Sequence, residues 1–151
     1  MFFKKNKPKD LNLEEDKSTD YKLTYMSILE FYFSGFEKVV NSFEEIDLEL
    51  RVGFSEDMEE IINSIRYTQE VPYQIYTEAV EKINLNLINS DFKRVHKRII
   101  MSDKLINESL DLLKKGNQEK DEELFKQGLS KSSEGMQLGV DAMKVRNSIF
   151  L

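Results

Sequence analysis

Residues 25–54, YMSILEFYFSGFEKVVNSFEEIDLELRVGF, carry two periodicities at once, and the choice between them decides the fold. Tyr25, Leu29, Tyr32, Phe36, Val39, Phe43, Ile46 and Leu50 succeed one another at spacings of four and three without a break. That repeat draws one apolar stripe along an α-helix. The end of the same stretch also alternates, with Ile46, Leu48, Leu50, Val52 and Phe54 set as a half-buried strand would set them. A strand there has no partner segment elsewhere in the chain, and the heptad holds through Leu50. Helix is therefore the reading.

Downstream, Gly53 offers a left-handed C-terminal cap and Ser55 an N-cap, with Glu56 and Asp57 placed against the next helix dipole. The second helix carries Met58, Ile62, Ile65, Pro72, Tyr76, Ala79 and Ile83 in register, with polar Gln69 the exception. Pro72 lacks an amide donor and crowds the preceding turn, so a kink or short break is expected near residues 68–71. Ser90 is read as the next N-cap, with Asp91 in the first turn. A third helix follows on Phe92, Val95, Ile99, Ile106, Leu110 and Leu113, and is expected to stop at Gly116 and Asn117 after Lys114 and Lys115. A fourth runs from about Glu119 to near Ser148, with Phe125, Leu129, Met136, Met143 and Phe150 in heptad register. Reversals are placed near 52–55, 86–91 and 115–118. Short turns between long helices imply an all-α, antiparallel up-down bundle of about four helices.

Upstream, residues 1–20 differ in kind. Lys4, Lys5, Lys7 and Lys9 surround Pro8, and Glu14, Glu15 and Asp16 then reverse the sign. With few apolar residues this segment cannot offset its ordering entropy, so it is read as a flexible tail before a single helical domain over 21–151.

Composition narrows the function classes. The 151 residues contain no cysteine, which removes disulfides, thiolate metal sites and cysteine nucleophiles together. The formal net charge of −6 disfavours nucleic acid and anionic membranes except through a local basic patch. No run approaches the roughly 20 apolar residues of a membrane span. The opening Met1, Phe2, Phe3, Lys4, Lys5 lacks the apolar core of a signal peptide, so a cytoplasmic location is expected. Lysine greatly outnumbers arginine, and isoleucine and asparagine are frequent. This is the usage of an AT-rich coding sequence, pointing to a low-GC bacterium or its mobile elements.

Four features could carry function. Phe31, Tyr32 and Phe33 are consecutive, so at ~100° per residue they spread over about 200° of the first helix and cannot all reach one core. At least one must meet a secondary cluster, solvent or another chain. In the fourth helix, Gly128, Ser132, Gly135, Gly139 and Ala142 form a stripe of small residues. Each of its three glycines costs about 1 kcal/mol relative to alanine, so a close neighbour should offset them. That neighbour is either an internal helix or a docked partner. Lys93, Arg94, Lys97 and Arg98 form a basic patch, either an anion site or a solvated face turned to the acidic 44–60 region. His96 sits at the edge of the apolar face.

Two local resemblances add to this. Leu113 to Leu129, with Gly116 and Asn117 at the turn and Phe125 and Gly128 downstream, resembles one tetratricopeptide-type helix–turn–helix, which implies a helical hairpin; no 34-residue period recurs. Glu56-x-x-Glu59 with Glu78-x-x-Glu81 resembles the paired acidic motifs of all-α, Mg²⁺-dependent nucleotide pyrophosphohydrolases (MazG-like), which would hold a hard cation between carboxylates. A phosphate loop, GxSxG, HExxH and ExxH pairs are absent.

Together these readings make the chain a non-enzymatic helical protein–protein interaction module: an adaptor, assembly factor or chaperone-like partner without cofactor or metal. The first helix and the small-residue groove are its partner surfaces, to a protein partner or a second copy, with no nucleic acid expected. The alternatives are the pyrophosphohydrolase, or a peripheral protein making weak membrane contact through the N-terminal tail.

Overall fold

The computed structural model describes the backbone of residues 2–150 and the side chains of residues 20–149. Among these residues are four α-helices and no strand: α1 (Phe2–Glu49), α2 (Glu56–Glu81), α3 (Ser90–Glu119) and α4 (Glu122–Phe150). Residues 2–20 of the segment read as a flexible tail enter the structure as the backbone of the first part of α1, and their side chains before Asp20 lie outside the described residues. No described helix is long and apolar enough to cross a membrane.

The choice of helix over strand at the end of α1 holds. Tyr25, Leu29, Tyr32, Phe36, Val39, Phe43 and Ile46 are all buried, whereas Leu50 lies past the helix end and is part-exposed. Gly53 takes a positive φ of 107° in the turn that follows. Ser55 then caps α2 as expected, its Oγ accepting from the Met58 amide at 3.1 Å. Asn117 of α3 closes over this turn, accepting from the Ser55 amide at 3.0 Å and donating to the Ser55 carbonyl at 2.8 Å.

α2 is continuous through Pro72, so no break is present at residues 68–71. The ring of Pro72 sits against Gly35 of α1, where an added methyl would come within 2.6 Å of Cγ. Gln69, the polar exception in the register, is buried and donates to Asp103 of α3 at 2.8 Å. Near the end of α2 the buried position is Val80 rather than the expected Ala79.

Residues 82–89 connect α2 to α3 through a short 3₁₀ turn, Leu85–Leu87. The α3 cap falls one residue earlier than expected: Asn89, not Ser90, accepts from the Asp91 amide at 2.8 Å.

The end of α3 differs more. Gly116 and Asn117 do not stop the helix, which continues to Glu119, and Lys120 adopts the left-handed conformation at φ 53°. The Asp121 amide donates to the Gly116 carbonyl at 2.8 Å and the Lys120 amide to the Asn117 carbonyl at 3.4 Å, a Schellman pattern built without glycine at the left-handed position. Asp121 in turn caps α4, accepting from the amides of Glu123 at 3.0 Å and Leu124 at 3.2 Å. The turn is thus only residues 120–121 long. Gly116 is needed inside α3, because a methyl there would stand 2.7 Å from the Phe125 backbone nitrogen.

The most extensive helix pair is α3 with α4, followed by α1 with α2; α2–α3 and α1–α4 meet less. In α4 the expected register is displaced. Phe125 is buried, but Leu129, Met136 and Met143 are only half-buried, and the small residues Gly128, Ser132, Gly135, Gly139 and Ala142 face the core. Phe150 lies outside the described side chains. Ser102 of α3 donates to the Gly135 carbonyl at 2.6 Å, a bond between helices that only close backbone approach permits.

Candidate functional site

The three consecutive aromatics of α1 part in three directions, as their helical spacing requires. Phe33 is buried beneath α4, with the Arg146 guanidinium 4.9 Å from its ring centroid, a cation–π contact. Tyr32 is buried toward α2, its ring 5.1 Å from that of Tyr76. Its hydroxyl is buried with no partner at hydrogen-bonding distance. Phe31 turns outward and is 51% exposed.

Phe31 is not alone on that side. With Ser34, Gly35 and Lys38 it forms one wall of a shallow groove, opposite Tyr67, Thr68, Val71 and Pro72 of α2. Tyr67 is 70% and Val71 40% exposed, so the groove presents two aromatic rings and an aliphatic side chain to solvent. An isolated exposed apolar residue is ordinary, whereas here three gather across two helices. Tyr67 and Val71 were not singled out from the sequence. They lie outside the buried register of α2, and their one signal is an i,i+4 apolar pair on its polar face.

The stripe of Gly128, Ser132, Gly135 and Gly139 is occupied by the chain itself. A methyl at Gly128 would meet Leu113 at 2.8 Å, one at Gly135 would meet Ile106 at 2.9 Å, and one at Gly139 would overlap the Phe36 ring. Ser132 is buried and donates to the Leu129 carbonyl at 2.7 Å. α3 and α1 therefore fill the groove that a partner helix would need, and the cost of the glycines is offset inside the fold.

The basic patch and the acidic region are not brought together. Lys93, Arg94, Lys97 and Arg98 lie near the start of α3, and among the described residues they make one ion pair, Arg94 to Asp91 at 3.4 Å. The acidic segment instead meets the other end of α3, with Glu59 3.9 Å from Lys114 and accepting from Gln118 at 2.7 Å. The four glutamates of the pyrophosphohydrolase resemblance also diverge. Glu56 and Glu59 open α2 while Glu78 and Glu81 close it, so the pairs stand about 30 Å apart at ~1.5 Å per residue.

A polar line crosses the core where only a boundary histidine was foreseen. The hydroxyls of Tyr25 and Tyr76 share a hydrogen bond of 2.8 Å, and Tyr76 shares a second, of 2.7 Å, with His96 Nδ1. Burial raises both tyrosine pKa values and lowers that of half-buried His96. The two tyrosine hydroxyls and His96 Nδ1 are each engaged within this line, which therefore reads as core architecture.

No family model, curated protein or solved structure matches this chain.

Proposed function

We propose that the protein is a non-enzymatic helical interaction module, an adaptor or assembly partner of a bacterial cytoplasm, and that it binds through the outer face of α1 and α2. The observation that carries this is Phe31, half in water beside Tyr67 and Val71 across a common groove. A buried aromatic contributes a few kcal/mol, so three exposed apolar side chains gathered on one face are a surface with energy to gain from a partner. The connections of six, eight and two residues, at 50–55, 82–89 and 120–121, support an up-down order of helices. A bend of α2 at Pro72 would follow from its missing amide and would shape the groove, since the proline lines it.

The test is Phe31→Asp, alone and with Tyr67→Asp. Both positions are exposed, so circular dichroism and melting temperature should stay nearly unchanged while capture of partners from the native host is lost. Capture that survives both substitutions would remove this face from the reading. Mg²⁺-dependent hydrolysis of nucleotides by the purified chain, abolished by Glu59→Gln, would replace the reading with the enzyme.

A further inference from the structure

The two helical hairpins divide the charge unequally. Residues 20–81, in α1 and α2, hold fourteen acidic side chains and four basic ones, a formal net charge of −10. Residues 90–149, in α3 and α4, hold ten and twelve, a net charge of +2. The groove of Phe31, Tyr67 and Val71 lies on the acidic hairpin. Of that hairpin's four bases, Arg66 is paired with Asp111 of α3, and only Lys38 lines the groove. Of its fourteen acids, only Glu59 makes an ion pair among the described residues. Glu30 and Glu37 are exposed on α1 within two turns of Phe31, and Glu70 and Glu78 are exposed on α2 within two turns of Val71. Ile75, also exposed, continues Tyr67 and Val71 at the same four-residue interval. The apolar stripe therefore runs about 12 Å along α2 at ~1.5 Å per residue.

We propose that the groove between α1 and α2 receives a cationic amphipathic helix of another protein. The inference rests on the reading of the face as a binding surface and names what binds it. The sign of the surroundings sets the class of partner: nucleic acid and anionic lipid are repelled, and an apolar seam flanked by Lys or Arg is attracted. The four-residue interval sets its form. A helix repeats its apolar side chains at three and four residues, so it lies along the stripe in register with Tyr67, Val71 and Ile75. An extended segment would bring backbone donors and acceptors to a groove that has no strand edge to receive them. Phe31 then closes the seam from α1. Glu30, Glu37, Glu70 and Glu78 meet the partner's bases, where they fix its placement more than they add affinity. Lys38 alone opposes them, and its aliphatic stem extends the apolar seam.

The probe is a designed helical peptide of about 16 residues, ~24 Å long, with leucine on one face and lysine on the other; its control carries glutamate for every lysine. Fluorescence anisotropy at about 0.15 M salt should show the lysine form bound and the glutamate form unbound, with affinity falling as salt rises. Phe31→Ser with Tyr67→Ser leaves the charge unchanged and should weaken binding about tenfold or more. Glu30→Gln with Glu37→Gln should weaken it about threefold or more. Glu123→Gln with Glu134→Gln makes the same change of charge at exposed positions of α4 and should alter it little. Circular dichroism of each variant checks that the exposed substitutions leave the fold intact. No binding of the lysine form, equal binding of both forms, or indifference to the serine pair would overturn the proposal. Equal losses from the α1 and α4 glutamine pairs would overturn it too, since attraction would then follow net charge alone. Should the lysine form fail while Phe31→Asp still abolishes capture of a protein from the native host, the cationic partner falls and the surface stands. Should Phe31→Asp change neither peptide binding nor capture, both fall.

Discussion

Asn117 grips both backbone polar groups of Ser55, a residue 62 positions earlier, with two bonds of 3.0 and 2.8 Å from one side-chain amide. The residue that ends α3 in a sequence reading thereby fastens the turn between α1 and α2. Replacing Asn117 with Ala leaves the part-buried Ser55 amide without an acceptor, at a cost of about 2 kcal/mol. Urea unfolding should show the midpoint lowered with an unchanged slope. Asn117→Asp keeps the acceptor and loses the donor, so it should fall between the two.

Gly139 faces the Phe36 ring with no space for a methyl group. Alanine there gains about 1 kcal/mol in helix propensity, but overpacking of a filled core costs about 1–3 kcal/mol. Gly139→Ala should therefore destabilise despite its better propensity. The penalty should shrink in a Phe36→Leu background, and a double-mutant cycle in urea measures the coupling.

Asp103 and His96 set opposing pH dependences. Burial raises the Asp103 pKa above its ordinary value of 3.8, Gln69 and Asn107 oppose that rise, and Glu70 adds to it. A carboxyl that holds its proton more tightly in the fold works against folding when ionised, so acidification through its raised value adds stability. His96 is lowered below 6.5 by burial, so the support given by its neutral form is present above 6.5 and lost as pH falls through the lowered value. Stability measured in urea from neutral to about pH 4 should move in favour of the natural chain relative to Asp103→Asn. His96→Gln should remove the loss that begins below 6.5.

The Tyr32 hydroxyl is buried without a partner, so its hydrogen-bonding capacity is forfeited on folding. Tyr32→Phe removes that burden while keeping the ring against Tyr76, and should be neutral to about 1 kcal/mol stabilising. A drop of more than that in thermal unfolding would mean the hydroxyl has a role in the fold.

The heptad of α1 was legible because seven of its eight positions meet the core, enough to outweigh the short alternation at its end. The Ser55 cap was legible for a similarly local reason. In α4 the large residues announced one register and the small ones another. Close approach by α3 favours the small set, which leaves Leu129, Met136 and Met143 at the flanks. The end of α3 was misplaced because glycine followed by asparagine is a usual stop, whereas here each serves a neighbour: Gly116 the backbone of Phe125, and Asn117 that of Ser55. Of the candidate surface, Phe31 followed from crowding on one helix. Tyr67 and Val71 did not, since an exposed pair breaks no periodic rule.

The two-residue link between α3 and α4 also bears on how the chain reaches its native state. Its most extensive contacts join helices that are neighbours in sequence, so the entropy lost in closing them is small. A hairpin of residues 90–149 can therefore form in the fast regime of low contact order and offer a ready template. The hairpin of α1 and α2 is expected to gain its long-range partners later, when Ser55 reaches Asn117. Native-state hydrogen exchange should register this order as two cooperative units, with the amides of α3 and α4 the slower to open.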